Sequence, residues 1–138
     1  MVTSKSRVIL LMISLVLVLG ACGGGPSDTA PKTAEDFLHA LAENDAEAVC
    51  QLMANLEDDG GGPITKDSPD WQKCVGLINV AMSEAKDLER LAEAKVESAD
   101  IDGDEAEVDE DNISGVVGAD ISMELTLIDG KWYVTDFD

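Results

Sequence analysis

The chain has few aromatic residues, little positive charge and almost no histidine. Of its 138 residues, five are aromatic, nine are lysine or arginine, and one, His39, is histidine. The core must therefore be mainly aliphatic. The sequence also has no Cys-x-x-Cys spacing, so it carries no familiar redox or zinc motif, and a lone histidine is weak support for catalysis.

Negative charge is in large excess, with a formal net charge of −20. All 29 acidic residues follow Cys22, whereas Lys5 and Arg7 precede it, so the chain from Cys22 onward has seven basic residues and a net charge of −22. Such a surface repels phosphate backbones and anionic lipid headgroups, and we expect no binding to nucleic acid. The simplest interpretation of the charge is solubility.

The longest apolar run is Val8 to Leu19, twelve residues interrupted only by Ser14. A permanent membrane span needs about 20 apolar residues, so this run is too short. Basic residues precede the run and the small residues Gly20 and Ala21 follow it, which is typical of a secretory signal. We therefore predict a signal peptide over residues 1–21.

Cys22 directly follows Leu19-Gly20-Ala21, and this stretch resembles the bacterial lipobox. The resemblance implies cleavage before Cys22 and a covalent diacylglycerol on its thiol, with an N-linked acyl chain such as palmitate as a further addition. Each buried methylene contributes about 0.8 kcal/mol, so two or three chains give stable anchoring. We expect a lipid-anchored protein on the extracytoplasmic face of the cell membrane. The alternative is an ordinary secretory signal that leaves a soluble protein with an odd cysteine.

The Gly- and Pro-containing residues 22–32 predict the lipidated cysteine and a flexible tether, followed by one domain over residues 33–138. Thr33 is the predicted cap of a first helix. The apolar face of that helix has helical spacing and consists of Ala34, Phe37, Leu38 and Leu41. Asn44-Asp45 predicts a turn, after which a second helix runs to about Leu56. His39 lies opposite the apolar face and is expected at the surface.

A third helix is predicted after the loop Glu57 to Asp67. Ser68-Pro69-Asp70 reads as a cap, a proline in the first turn and an acid. The predicted buried face consists of Trp71, Cys74, Val75, Ile78 and Met82. Beyond Ser83 the helix either continues to about Ala94 or breaks and restarts.

The last third of the chain changes to a period of two. Asp102-Gly103 predicts a hairpin between Lys95 to Ile101 and Asp104 to Asp109, and Asp129-Gly130 predicts another. The flanking strands of the second hairpin run over residues 119–127 and 131–137. Helices first and an antiparallel meander afterwards predict an α+β fold, with the N-terminal helices packed on one face of the sheet.

This order, the opening "AEDFLHALAENDAEAVCQLM" and the ending "ELTLIDGKWYVTDFD" resemble the nuclear-transport-factor-2-like family. Ketosteroid isomerase and scytalone dehydratase share its fold, and small actinobacterial lipoproteins with a terminal Gly-Lys-Trp hairpin, here Gly130 to Trp132, are most similar. The resemblance covers Thr33 to Asp138 and implies a cone-shaped α+β roll with a curved antiparallel sheet. None of its motifs is a catalytic signature, so it bears on fold far more than on function.

Cys50 and Cys74 remain as an even pair when Cys22 carries lipid. Outside the cytoplasm such a pair favours a disulfide, since both residues lie on predicted buried faces of neighbouring helices. A redox or metal-binding pair is the alternative.

Asp100 to Glu105 invites a calcium interpretation, but no register of an EF-hand loop fits, so we expect an acidic hairpin and no metal site.

The function expected from these features is non-enzymatic binding of a small apolar ligand or an envelope protein, and no catalytic residue is assigned. The candidate ligand-lining residues, for which plain core packing is the alternative, are Trp71, Met82, Met123, Trp132 and Tyr133. If Tyr133 faces outward, then Trp132, Val134 and Asp136 face the core side, and the reverse holds in the other register.

Two alternatives stay open. One is an isomerase or dehydratase that uses the cone pocket with a buried carboxylate near Tyr133. Another is a structural or regulatory envelope protein whose acidic surface binds a basic partner. A homodimer through the outer face of the sheet is compatible with any of these.

Overall fold

The computed structural model describes residues 25–56 and 61–138, so the predicted signal, Cys22 and part of the loop after Leu56 lie outside the described residues. Within these described ranges there are three α-helices and two 3₁₀ helices: α1 (Ala30–Ala42), α2 (Ala46–Gln51), α3 (Trp71–Glu84), Leu88–Glu93 and Glu110–Asn112. The same part of the chain contains eight strands: β1 (Ala54–Asn55), β2 (Gly62–Pro63), β3 (Lys95–Val96), β4 (Asp100–Asp102), β5 (Glu105–Asp109), β6 (Ile113–Ser114), β7 (Ser122–Ile128) and β8 (Lys131–Phe137). None of the helices in the described ranges has the length and apolar character needed to cross a bilayer.

The main sheet has four antiparallel strands in the order β4-β5-β7-β8, and β1-β2 and β3-β6 form two short ribbons. Helix α1 packs on one face of the main sheet. The predicted α+β class, with helices on an antiparallel sheet, is confirmed.

The core lies between α1 and the inner face of the sheet. Its largest fully buried side chains include Phe37 and Leu38 from α1 and Met123, Leu125 and Val134 from β7 and β8. The rings of Phe37 and Phe137 meet edge to face with centroids 5.2 Å apart. Most of the other buried side chains are aliphatic, as the composition predicts.

The N-terminal boundary of the domain was predicted too late. Helix α1 begins at Ala30, and Thr33 is buried inside it instead of capping it. The Ser27 N–H donates to the Thr33 hydroxyl over 2.9 Å, and the Ser27 carbonyl accepts from the Trp132 N–H over 2.9 Å. Residues 27–32 therefore belong to the folded domain and not to the tether. Pro31 suits the first turn of the helix, which allows the early start.

The second and third helices are shorter than predicted. Helix α2 ends at Gln51, because the Leu52 carbonyl accepts a hydrogen bond from the Val134 N–H over 2.8 Å and draws this segment onto the edge of β8. Helix α3 starts at Trp71 and not at the predicted cap, since the Ser68 hydroxyl closes a turn by donating to the Thr65 carbonyl. It ends at Glu84, and the chain restarts as the 3₁₀ helix Leu88–Glu93, the second of the two predicted outcomes.

One predicted hairpin turn is confirmed and the other is displaced by one residue. Asp129 and Gly130 both have positive φ, and Ile128 pairs with Lys131 around them, as a two-residue turn requires. In the first hairpin the loop is Gly103-Asp104 and not Asp102-Gly103. Gly103 has φ +61°, so the glycine occupies the first central position of the turn. The single strand predicted over 95–101 divides into β3 and β4, which belong to different sheets.

A β-bulge at Thr135 changes which face of the sheet the last residues of β8 point to. Leu125 pairs with Val134, but the next pair is Glu124 with Asp136, so Thr135 is the extra residue. Trp132 and Val134 face the core, as one predicted register required. Asp136 lies on the outer face instead, which corrects that register, and Phe137 turns back to the core side opposite Met123.

Candidate functional site

An apolar groove runs between α3 and the part of the domain formed by β1 and β8. It consists of two adjoining cavities of ≈ 270 and ≈ 280 Å³, both bordered by Met53, Ile78 and Thr135. We call it the α3 groove. Its α3 wall consists of Lys73, Cys74, Leu77, Ile78, Ala81, Met82 and the capping residue Ala85, with the N-terminal cap Asp70 at one end. The facing wall includes Met53, Ala54 and Phe137, with Phe37 and Leu41 at one end.

The spacing of the α3 wall explains why one helix can line the whole groove. Residues that follow one another by three or four positions lie on one face of a helix. Cys74, Leu77, Ile78, Ala81 and Met82 have this spacing and form a continuous apolar stripe. Leu77 is 61% exposed although it borders the groove, so part of this stripe faces solvent. An exposed apolar stripe beside a groove is typical of a binding surface.

Helix α3 is held near its start by a second, small core. The cysteine pair lies there, with Cys50 and Cys74 within disulfide-bonding distance and their Cα atoms 6.1 Å apart. Cys50 and Cys74 pack with Ile64 and Trp71 in this cluster. The Lys66 ammonium lies 5.8 Å from the centre of the Trp71 ring, over its face. Near the other end of the helix, the buried side chain of Met82 belongs to the main core. Between these two attachments, the side of α3 that lines the groove is open.

The five residues predicted to line a ligand site are not brought together. Met82 borders the α3 groove, and Trp71 packs against the cysteine pair beside it. Met123 and Trp132 are packed into the main core, the alternative interpretation of these residues. Tyr133 lies opposite Thr126 on β7, and its partial burial, followed by the charge of Asp129, raises the pKa of its phenol above 10.0.

Several residues of the groove have no clear signal in the sequence. Met53 and Thr135 border the groove because Met53 bridges to Val134 and because the strand bulges at Thr135. Phe137 reaches it through the same bulge. The helical spacing of Leu77 and Ala81 was visible, but a single sequence does not show that this side of α3 stays uncovered.

A second concavity, of ≈ 500 Å³, lies on the outer face of the main sheet. Three carboxylates line it in register, because Asp100 pairs with Glu107 and Glu107 with Glu124, and Asp136 continues the series beside it as the partner of Glu124. We call these four residues the acidic row. All four are exposed, and no lysine or arginine in residues 25–56 and 61–138 lies within ion-pair distance of them. Thr135 borders both this concavity and the α3 groove.

The structure assigns no metal site to the described residues, where no group of three His, Cys, Asp or Glu side chains is arranged to hold an ion.

His39 is half-buried and not fully at the surface as predicted. Its Nε2 lies 2.8 Å from the Ala94 carbonyl, so it ties α1 to the end of the 3₁₀ helix Leu88–Glu93. This contact gives the histidine a structural role.

In the part of the chain that the structure describes, Thr33 is the only fully buried polar residue, and no carboxylate is buried beside Tyr133.

Comparisons of the chain with protein-family models, with curated proteins and with solved structures find no match.

Proposed function

We propose that this protein is a lipid-anchored, extracytoplasmic binding protein whose α3 groove takes up an apolar group, without catalysis. The observation that carries the proposal is the groove itself, with an apolar stripe of α3 on one side and Met53 and Phe137 on the other. The lipobox-like Leu19-Gly20-Ala21-Cys22 supports the anchor and the location at the cell envelope.

The size and lining of the groove suit such a ligand. Ligand pockets commonly enclose about 300–1,000 Å³, and the two adjoining cavities together fall within that range. Burial of apolar surface contributes about 25 cal/mol per Å². Exposed Leu77 and the small Ala81 leave room for an apolar group to cover this surface.

Binding of a neutral apolar fluorophore, N-phenyl-1-naphthylamine, tests this proposal. The protein carries Cys22→Ser, so that no acyl chain of its own competes. We expect saturable binding that Ala81→Trp weakens more than tenfold, because the indole fills the groove. Ala92→Trp is the matched control, since Ala92 is exposed on a 3₁₀ helix outside the groove. Equal binding by both variants would refute the groove as the site.

The anchor is tested separately by intact-mass measurement of the membrane fraction. The expected product begins at Cys22 and carries the mass of a diacylglycerol, and Cys22→Ser releases the protein from the membrane. A product with the mass of an unmodified chain would support the ordinary secretory signal instead.

The isomerase or dehydratase alternative gains no support from the position of Tyr133. Tyr133 pairs with Thr126 and lies on the outer side of the sheet. The α3 groove lies elsewhere, between β8 and α3. A homodimer through the outer face would bring two acidic rows together, which electrostatic repulsion opposes.

A further inference from the structure

We propose that the α3 groove takes the apolar side of a basic amphipathic peptide segment from a partner protein, with its lysines or arginines against the acidic row. This inference rests on the proposed function, since it uses the same groove. It adds the chemical class of the occupant.

The first step is that the groove and the acidic row meet on one strand. Asp136 borders the groove and is also the last member of the row. The bulge at Thr135 causes this meeting, because it places Asp136 on the outer face and the next residue, Phe137, on the core side. A ligand seated in the groove therefore lies beside the Asp136 end of the row.

The second step is the charge of the row. Like charges directly opposite each other destabilise a sheet, and here three consecutive pairs are carboxylate against carboxylate. No basic side chain of the described residues neutralises them. A basic partner would supply the missing countercharge, and a net charge of −22 from Cys22 onward would speed its approach.

The third step is dimension. Neighbouring strands are about 4.8 Å apart, so the row spans about 14 Å across the four strands. A peptide helix rises 1.5 Å per residue, so about ten residues cover the same length. A helix with an apolar side for the groove and basic residues beside that side would contact both surfaces where they meet at Asp136. A second copy of this chain or a simple acyl chain would leave the acidic row unpaired.

The test uses the Cys22→Ser protein and a synthetic 14-residue helical peptide with leucines on one face and lysines on the other. A matched peptide has glutamates in place of the lysines. Fluorescence anisotropy at low and high salt measures the affinity of each. We expect the lysine peptide to bind much more tightly, less so at high salt, and to lose binding to Ala81→Trp.

Removing charges from the acidic row distinguishes its contribution to peptide binding from the contribution of the groove. The double variant Glu107→Gln and Glu124→Gln should lower the affinity for the lysine peptide about three- to tenfold. It should also reduce the salt dependence of that affinity, as expected for partly exposed ion pairs. Neither residue borders the α3 groove, so binding of the neutral fluorophore should not change. Glu110→Gln with Asp111→Asn removes two charges outside the row and should leave the peptide affinity near that of the parent.

The outcomes are distinct. If the neutral fluorophore binds but the row variant leaves the peptide affinity unchanged, or both peptides bind equally, the basic partner is refuted and the groove stands. If neither the fluorophore nor the lysine peptide binds, the proposed function fails, and this inference fails with it.

Discussion

Helices α1 and α3 are similar in length but are held in the fold by different means. Of the 13 residues of α1, seven are buried, whereas of the 14 residues of α3, three are buried. Helix α1 covers the inner face of the sheet. Helix α3 is attached through the cysteine pair and Trp71 near its start and through Met82 near its end. The difference shows that broad burial fixes α1, whereas attachment near the two ends of α3 leaves part of its apolar surface uncovered.

The largest expected effect contrasts one substitution in the two helices. Leu38→Ala should lower the free energy of unfolding by about 2–5 kcal/mol, because Leu38 is fully buried under the sheet. Leu77→Ala should change it by less than about 0.5 kcal/mol, because that side chain is mostly exposed. Urea denaturation measures both. Similar losses would contradict the difference between the helices.

Removal of the cysteine pair tests the attachment of α3. Cys50→Ala with Cys74→Ala should lower the free energy of unfolding by about 3–4 kcal/mol in the chain-entropy model, since the two residues are separated by 24 positions. Hydrogen exchange should rise in α3 more than in α1. The reduced parent protein is the control and should behave like the double variant. Equal changes in both helices would argue against a separate attachment.

A smaller effect concerns the sheet beside both helices. Glu124→Gln should raise the free energy of unfolding by about 0.2–1 kcal/mol at low salt, because it relieves repulsion from Glu107 and Asp136. High salt should reduce the gain. Glu110→Gln, outside the acidic row, serves as the control and should give little change. A loss of stability in Glu124→Gln would show that the row does not strain the sheet.

The smallest expected effect concerns the pKa of Tyr133, a residue of β8. Burial, and secondarily Asp129, raise its pKa above 10.0, so the fold favours the neutral phenol. This contribution to stability is complete below pH 10 and is lost as the pH rises through the folded pKa. Ultraviolet titration of the single tyrosine measures it. Asp129→Asn should lower the pKa only partly, and asparagine suits the positive φ of the turn. An unchanged pKa would exclude the Asp129 contribution.

Much of the fold could be predicted because its signals are local. The spacing of Trp71, Cys74 and Met82 predicted the buried face of α3, and Asp129-Gly130 predicted its turn correctly. Cys50 and Cys74 lie within disulfide-bonding distance, as predicted from their places on the inner faces of neighbouring helices. The early start of α1 was missed, since Ser27 and Thr33 are held by a hydrogen bond to each other and by the contact of Ser27 with distant Trp132.

The sequence by itself determined the α+β class, the helix faces, the second hairpin and the excess of acid, because each depends on residues close together in the chain or on composition. Only the tertiary structure decided that Asp136 faces outward beside the groove and that one side of α3 stays open. Both depend on the register between β7 and β8 and on which distant surfaces cover one another, and a bulge of one residue changes that register without a local signal.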